Sequence, residues 1–127
     1  MNTNPLHKQK GSFLLESLIA LLIFSFGVLA LMGLQAASIK NTNDARSRAE
    51  ASLLANQIIG QMWVDQANLS SYATPTTWLS QVAAALPNGD GTITFSGNEA
   101  TVTVFWTSPG SVDPHNYVAV AQINGAN

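Results

Sequence analysis

Between Gly11 and Ile39 the chain carries one ionisable side chain, Glu16, set among Phe13, Leu14, Leu15, Leu18 and Ile19. A carboxylate inside an apolar run is costly, about 2.5–3.5 kcal/mol at a span centre and less near the interface. Such a residue is functional by default, and its chemistry is electrostatic. Either it rests at a headgroup interface, or it meets a cation in a medium of low dielectric. His115 is a second candidate, because Asp113-Pro114-His115 has the look of a ligand pair. No third nitrogen or sulfur ligand accompanies it, so zinc is not expected, and a loop histidine near an aspartate is the simpler reading. The acids Asp65, Asp90, Glu99 and Asp113 are scattered. Asn88-Gly89-Asp90-Gly91 is too short and too poor in acids for a calcium loop and reads as a turn. Nucleophile-elbow, phosphate-loop and dinucleotide-binding patterns are missing from the sequence. The expectation is therefore no catalytic residue, no metal and no cofactor. Asn68-Leu69-Ser70 fits the glycosylation pattern, a three-residue match that recurs by chance. Trp63, Trp78 and Trp106 offer aromatic faces for stacking, but Trp78 and Trp106 fall in apolar phase with their segments and read as core.

Composition narrows the classes further. A chain of 127 residues allows one small domain. Charged residues make up 9% of it, against roughly 25% in an average soluble domain. Five Lys/Arg and seven Asp/Glu give a net charge of −2, and no Lys or Arg follows Arg48. No basic surface is present to drive nucleic-acid binding. The chain has no Cys, which excludes disulfides, thiol chemistry and Cys-ligated metals.

The element that must position Glu16 is an apolar helix. Residues 13–34 are broken only by Glu16, Ser17, Ser25, Gly27 and Gly33. As a helix they reach ~33 Å at ~1.5 Å per residue, enough for a hydrocarbon core of ~30 Å. A helix apolar all round must be buried all round, and this short chain cannot wrap it. It belongs in a membrane or among copies of itself. A secretory signal peptide with a small-residue site at Ala36-Ala37-Ser38 would share the basic start, but its apolar region is usually ~7–15 residues. A plain single-span anchor is the other bland reading. Lys8 and Lys10 precede the span while Lys40, Arg46 and Arg48 follow it, so charge leaves orientation open.

Beyond Ile39 the helical period continues. Ala51, Leu54, Ile58 and Met62 recur on one face, with Ala55 and Ile59 beside them, opposite Arg46, Arg48, Glu50, Gln57 and Gln61. The helix is expected to reach about Ala67. Gly60 weakens it by roughly 1 kcal/mol relative to Ala, and Asn41-Thr42-Asn43, Gly27 and Gly33 are further weak points. The apolar stripe reads as the attachment of a carboxy-terminal domain. That domain opens with a polar break at 68–75 and a short helix over 76–86, with Trp78, Leu79, Val82 and Leu86 on one side. Pro87-Asn88-Gly89-Asp90-Gly91 ends that helix. Strands are predicted over 92–96, 101–107 and 117–123, the last carrying Val118 and Val120. Gly97-Asn98-Glu99 turns the first hairpin, and a loop over 108–116 joins the second pair. The fold class is α+β: a long helix whose first half is apolar, packed on a small antiparallel sheet of about three strands.

Lys10-Gly11-Ser12-Phe13-Leu14-Leu15-Glu16, running into Leu18-Ile19-Ala20-Leu21-Leu22-Ile23-Phe24, resembles the class III signal of type IV prepilins. In that family a short basic leader ends in Gly, and the fifth mature residue is Glu. The run Ser25-Phe26-Gly27-Val28-Leu29-Ala30-Leu31, with Gln35-Ala36 behind it, is similar to PilV-type minor pilins. The resemblance covers Lys10 to about Met62, and it implies a pilin-like fold. It divides the chain into a leader peptide (1–11), a transmembrane and filament-core helix (12–39), an amphipathic continuation (40–67) and a small globular domain (68–127). It implies cleavage after Gly11 by a prepilin peptidase, with Ser12 as first mature residue and candidate for amino-terminal methylation. The family most often has Phe where Ser12 stands, which bears on methylation. Glu16 is then the residue that meets the amine of a neighbouring subunit and sets register. Implied partners are other major and minor pilins, the inner-membrane pilus assembly machinery and membrane lipid, with no nucleic acid expected. The implied location is the bacterial inner membrane, single-pass with a periplasmic carboxy-terminal domain, and the pilus (fimbrium). Two alternatives share the leader and helix or the anchor: a minor pseudopilin of a type II secretion system, and a membrane-tethered periplasmic ligand- or DNA-binding module. A membrane-tethered enzyme is the third.

Overall fold

The computed structural model describes the backbone of residues 6–123 and the side chains of residues 11–123. The start of the expected leader, residues 1–5, lies outside the described residues. The element order is helix α1 (Leu6–Val64), a 3-10 stretch (Gln66–Ala73), helix α2 (Thr76–Ala85) and strands β1 (Asp90–Ser96), β2 (Glu99–Trp106) and β3 (His115–Gln122). This is the expected α+β layout, one long helix and a three-stranded antiparallel sheet in the order β1-β2-β3. The chain divides into two compact units at Asn41 and Thr42.

Helix α1 is regular through Gly27, Gly33, the Asn41-Thr42-Asn43 run and Gly60, so none of the expected weak points breaks it. It ends at Val64 rather than near Ala67. Asp65 takes non-helical dihedrals (φ −116°, ψ 49°). The Asn68 amide donates to Asp65 Oδ1 at 2.7 Å, and the Tyr72 hydroxyl donates to Asp65 Oδ2 at 3.3 Å. These local side-chain bonds offer the backbone an alternative to further helix. Desolvation raises the Tyr72 pKa above its ordinary value, with the Asp65 carboxylate adding to the effect. The expected polar break is the 3-10 stretch itself, kinked at Asn68. Helix α2 stops where Leu86 turns extended (φ −120°, ψ 143°), as a residue before proline does.

The second unit, Thr42–Asn127, holds the core. From α1 come Ala51, Leu54, Ala55, Ile58 and Met62, the stripe that the helical period marks. From α2 come Trp78, Val82 and Leu86, with Leu79 half-buried at the margin. Strand β2 alternates strictly, burying Ala100, Val102, Val104 and Trp106. Ile93 and Ile123 close the cluster. The Trp78 indole N–H donates to the Leu54 carbonyl at 2.9 Å and so ties α2 to α1. Trp106 Nε1 makes no hydrogen bond to the described residues.

The strands run longer than the alternating residues alone predict. β1 begins at Asp90, because Asn88 (φ 49°) completes the reversal before it. The β1–β2 hairpin pairs Ser96 with Glu99, leaving Gly97 and Asn98 as its two turn residues. Gly97 sits at φ +60°, in the first central position, where a type II′ turn takes glycine. β3 begins at His115, which pairs with Trp106. The connecting loop is therefore shorter than expected. Register places Tyr117 opposite Val104 and Ala119 opposite Val102 on the core side. Val118 and Val120 thus face outward and are exposed. β3 is an edge strand without a charged residue or a proline.

Gly91 shows how tightly this core closes. A Cβ built there falls 2.6 Å from the Trp78 ring. Gly91→Ala forces that ring or the strand to move, and overpacking of this kind costs about 1–3 kcal/mol. Urea unfolding of the full chain in detergent should show the lower midpoint. An unchanged midpoint would mean the ring has room to give.

Candidate functional site

The candidate residues Gly11, Ser12 and Glu16 all lie on α1, within its first unit. The peptide bond between Gly11 and Ser12 is inside the helix, which starts at Leu6. Ser12 and Glu16 are four residues apart and so share one face. All three residues are exposed. So are the large apolar side chains around them, with Phe13 at 69% and Leu14 at 65%. The helix is long and apolar enough to cross a membrane, and none of its most apolar window is buried by the chain itself. Glu16 is therefore the only acid or base over residues 11–39, on a helix surface that none of the described residues covers.

Gly11 takes no part in packing among the described residues. A Cβ placed there meets nothing within 4 Å, in contrast to Gly91. Glycine also lowers local helix stability by roughly 1 kcal/mol relative to Ala. A peptidase that took this bond in extended form would first have to unwind the helix there, and a glycine would make that step easier. Hydrolysis there would add water across the bond, leaving a carboxylate on Gly11 and a free amine on Ser12. That amine and the Glu16 carboxylate are chemically matched: one cation, one anion and no competing charge nearby in sequence.

The other candidates are not drawn together. Asp113 is exposed, and His115 is half-buried. His115 is not a loop residue but the first residue of β3, its ring stacked on Trp106 with centroids 5.8 Å apart and 25° between planes. Strand pairing set that position, and the Asp113-Pro114 turn signal hid it. No group of three or more metal-ligating side chains occurs among the described residues. Asp90 Oδ1 accepts from the Gly91 backbone N–H at 2.8 Å, a local turn bond. Trp78 and Trp106 are core, while Trp63 is 45% exposed, so the three form no common stacking surface. Asn68 of the glycosylation-like triplet has its amide engaged by Asp65.

Sequence reasoning missed one polar feature. Ser108 is 6% exposed, and its hydroxyl donates to Asp44 Oδ1 at 2.7 Å. The bond joins residues from distant parts of the second unit, and no local pattern announces it. Beside it lies a cleft of about 460 Å³ between the Asn43-to-Glu50 stretch of α1, the end of α2 and Pro109. No family model, curated protein or solved structure matches the chain.

Proposed function

We propose that the chain is a PilV-type minor pilin, a structural and assembly subunit of a type IV pilus. The observation that carries this reading is Glu16. It stands alone on an exposed apolar helix, five residues after a glycine that the fold does not need. A membrane or a bundle of like helices would cover that surface, and either would make an unpaired carboxylate costly. A free amine on Ser12, or on a neighbour's first residue, removes the cost by pairing. The core of the second unit, which takes its α1 residues from Ala51 onward, supports the same reading.

On this reading a prepilin peptidase cuts after Gly11, and Ser12 is the candidate for methylation. The span holds the protein in the bacterial inner membrane with its sheet domain in the periplasm. The assembly machinery then moves it into the pilus, where its helix meets those of other major and minor pilins.

The amino-terminal sequence and intact mass of the mature protein test the first step. The expected start is Ser12-Phe13-Leu14. A start at Met1 or after Ser38 would contradict the proposal. Gly11→Leu should leave the precursor uncut, because the side chain blocks close approach to the scissile bond.

A further inference from the structure

The two residues of the Ser108–Asp44 bond differ in how firmly the chain holds them. Ser108 belongs to a turn that is tied down. The Thr107 N–H donates to the Pro87 carbonyl at 3.0 Å, and the Ser111 N–H donates to the Ser108 carbonyl at 3.0 Å. The turn is thereby fixed to the end of α2. Asp44 sits on a stretch of α1 with much less to hold it. None of residues 42–50 is buried, whereas Ala51, Leu54, Ala55 and Ile58 after them are. Asn43, Arg46, Ser47 and Glu50 border a cleft, with Ala84, Ala85 and Pro87 as its other wall. The local sequence is also a poor helix former. Asn41-Thr42-Asn43-Asp44 is a run of side chains that compete for backbone hydrogen bonds. A helical stretch without a buried apolar face draws little stability from packing.

We infer that the Ser108–Asp44 bond is a latch. Closed, it holds the 42–50 stretch of α1 to the sheet domain. Open, it lets that stretch fray as far as Ala51. The bond suits this role. At 2.7 Å to a carboxylate it is charge-assisted, and so stronger than a neutral pair. It is a single point of attachment, so it breaks in one step. Opening brings water to both groups, and neither is left buried without a partner. The core is untouched, because its α1 residues begin at Ala51. A residue advances ~1.5 Å in a helix and up to ~3.3 Å when extended, so release roughly doubles the reach of the stretch. The result is a neck of variable length at the start of the domain. Local opening of this kind falls on segments with few buried contacts. Nothing in it depends on cleavage or on assembly into a filament.

Hydrogen exchange of the full chain in detergent, read by mass spectrometry on proteolytic peptides, tests the latch. Ser108→Ala removes the donor. Amides of residues 42–50 should then exchange on the order of tenfold faster than in wild type. Peptides covering residues 54–62 and β2 should keep their wild-type rates. Asp44→Asn keeps an acceptor oxygen but loses the charge, so its 42–50 amides should exchange at an intermediate rate. Added to Ser108→Ala, it should change nothing more, since the bond it weakens is already gone. If Ser108→Ala loses the near-UV circular dichroism of the folded domain, Asp44→Asn decides alone: faster exchange confined to 42–50 supports the latch, and unchanged exchange overturns it. Unchanged exchange over 42–50 in a folded Ser108→Ala also overturns it. An equal rise over 54–62 does the same, because the bond would then stabilise the whole core instead of one stretch. Additive effects of the two substitutions would show that they do not act through one bond, and the latch would fall.

Discussion

Glu16→Leu is expected to leave the protein inserted and cleaved, yet missing from sheared pili. The substitution removes the costliest residue from the apolar span, so insertion proceeds normally or slightly better. On the proposed pilin reading cleavage also proceeds, since the glycine and the apolar helix that a peptidase would meet are unchanged. The loss falls on assembly. Removing one partner of a buried ion pair costs about 3–5 kcal/mol, because the other charge is left unpaired. That corresponds to a factor of roughly 100 or more in incorporation. Immunoblots of membrane and sheared fractions, beside wild type, read it directly. Wild-type levels of the variant in pili would reduce Glu16 to an interfacial residue. A variant that is never inserted or cleaved would move its role to targeting.

The second large effect concerns the domain that the helix carries. Trp78 is 3% exposed, packs against Gly91 and bonds to Leu54. Trp78→Ala removes the ring from a core that has no disulfide to compensate, a change that costs about 3–5 kcal/mol. Small domains hold only about 5–15 kcal/mol in total, so a large share of the stability goes. Loss of near-UV circular dichroism in detergent at low urea is the expected readout. Trp78→Phe keeps most of the volume and removes one hydrogen bond, worth about 0.5–1.5 kcal/mol. The Leu54 carbonyl keeps its place in the helical ladder, so it is not orphaned. A Trp78→Ala midpoint equal to wild type would show that α2 is not what holds the sheet to α1.

Much of this domain is legible in the sequence because burial follows simple periods. Ala51, Leu54, Ile58 and Met62 mark their helix face at the helical period, and Val102, Val104 and Trp106 mark the core side of β2 at period two. What was not legible depends on neighbours. Helix α1 ends at Val64 because Asp65, Asn68 and Tyr72 bond to one another, and no periodicity carries that. His115 joins β3 only through its pairing with Trp106. Val118 and Val120 are the more strand-like residues of β3, yet pairing with β2 turns the smaller Ala119 and Ala121 and the ring of Tyr117 toward the core side. Glu16 stood out because a charge in an apolar run is a local anomaly. The Arg46 and Glu50 cleft did not, since α2 and Pro109, which complete it, are far away in the chain.

The free side of β3 sets a condition on how the protein can be kept. In an antiparallel ladder alternate residues aim their N–H and C=O away from the bonded neighbour. On an outermost strand those groups are open to any other extended chain. Across β3 nothing repels a newcomer: there is no lysine, no proline and no bulge, and Val118 and Val120 supply apolar surface beside the open groups. A concentrated solution of this chain is therefore prone to polymerise through its sheet. One lysine in place of Val118 or Val120 is the least intrusive gatekeeper against it.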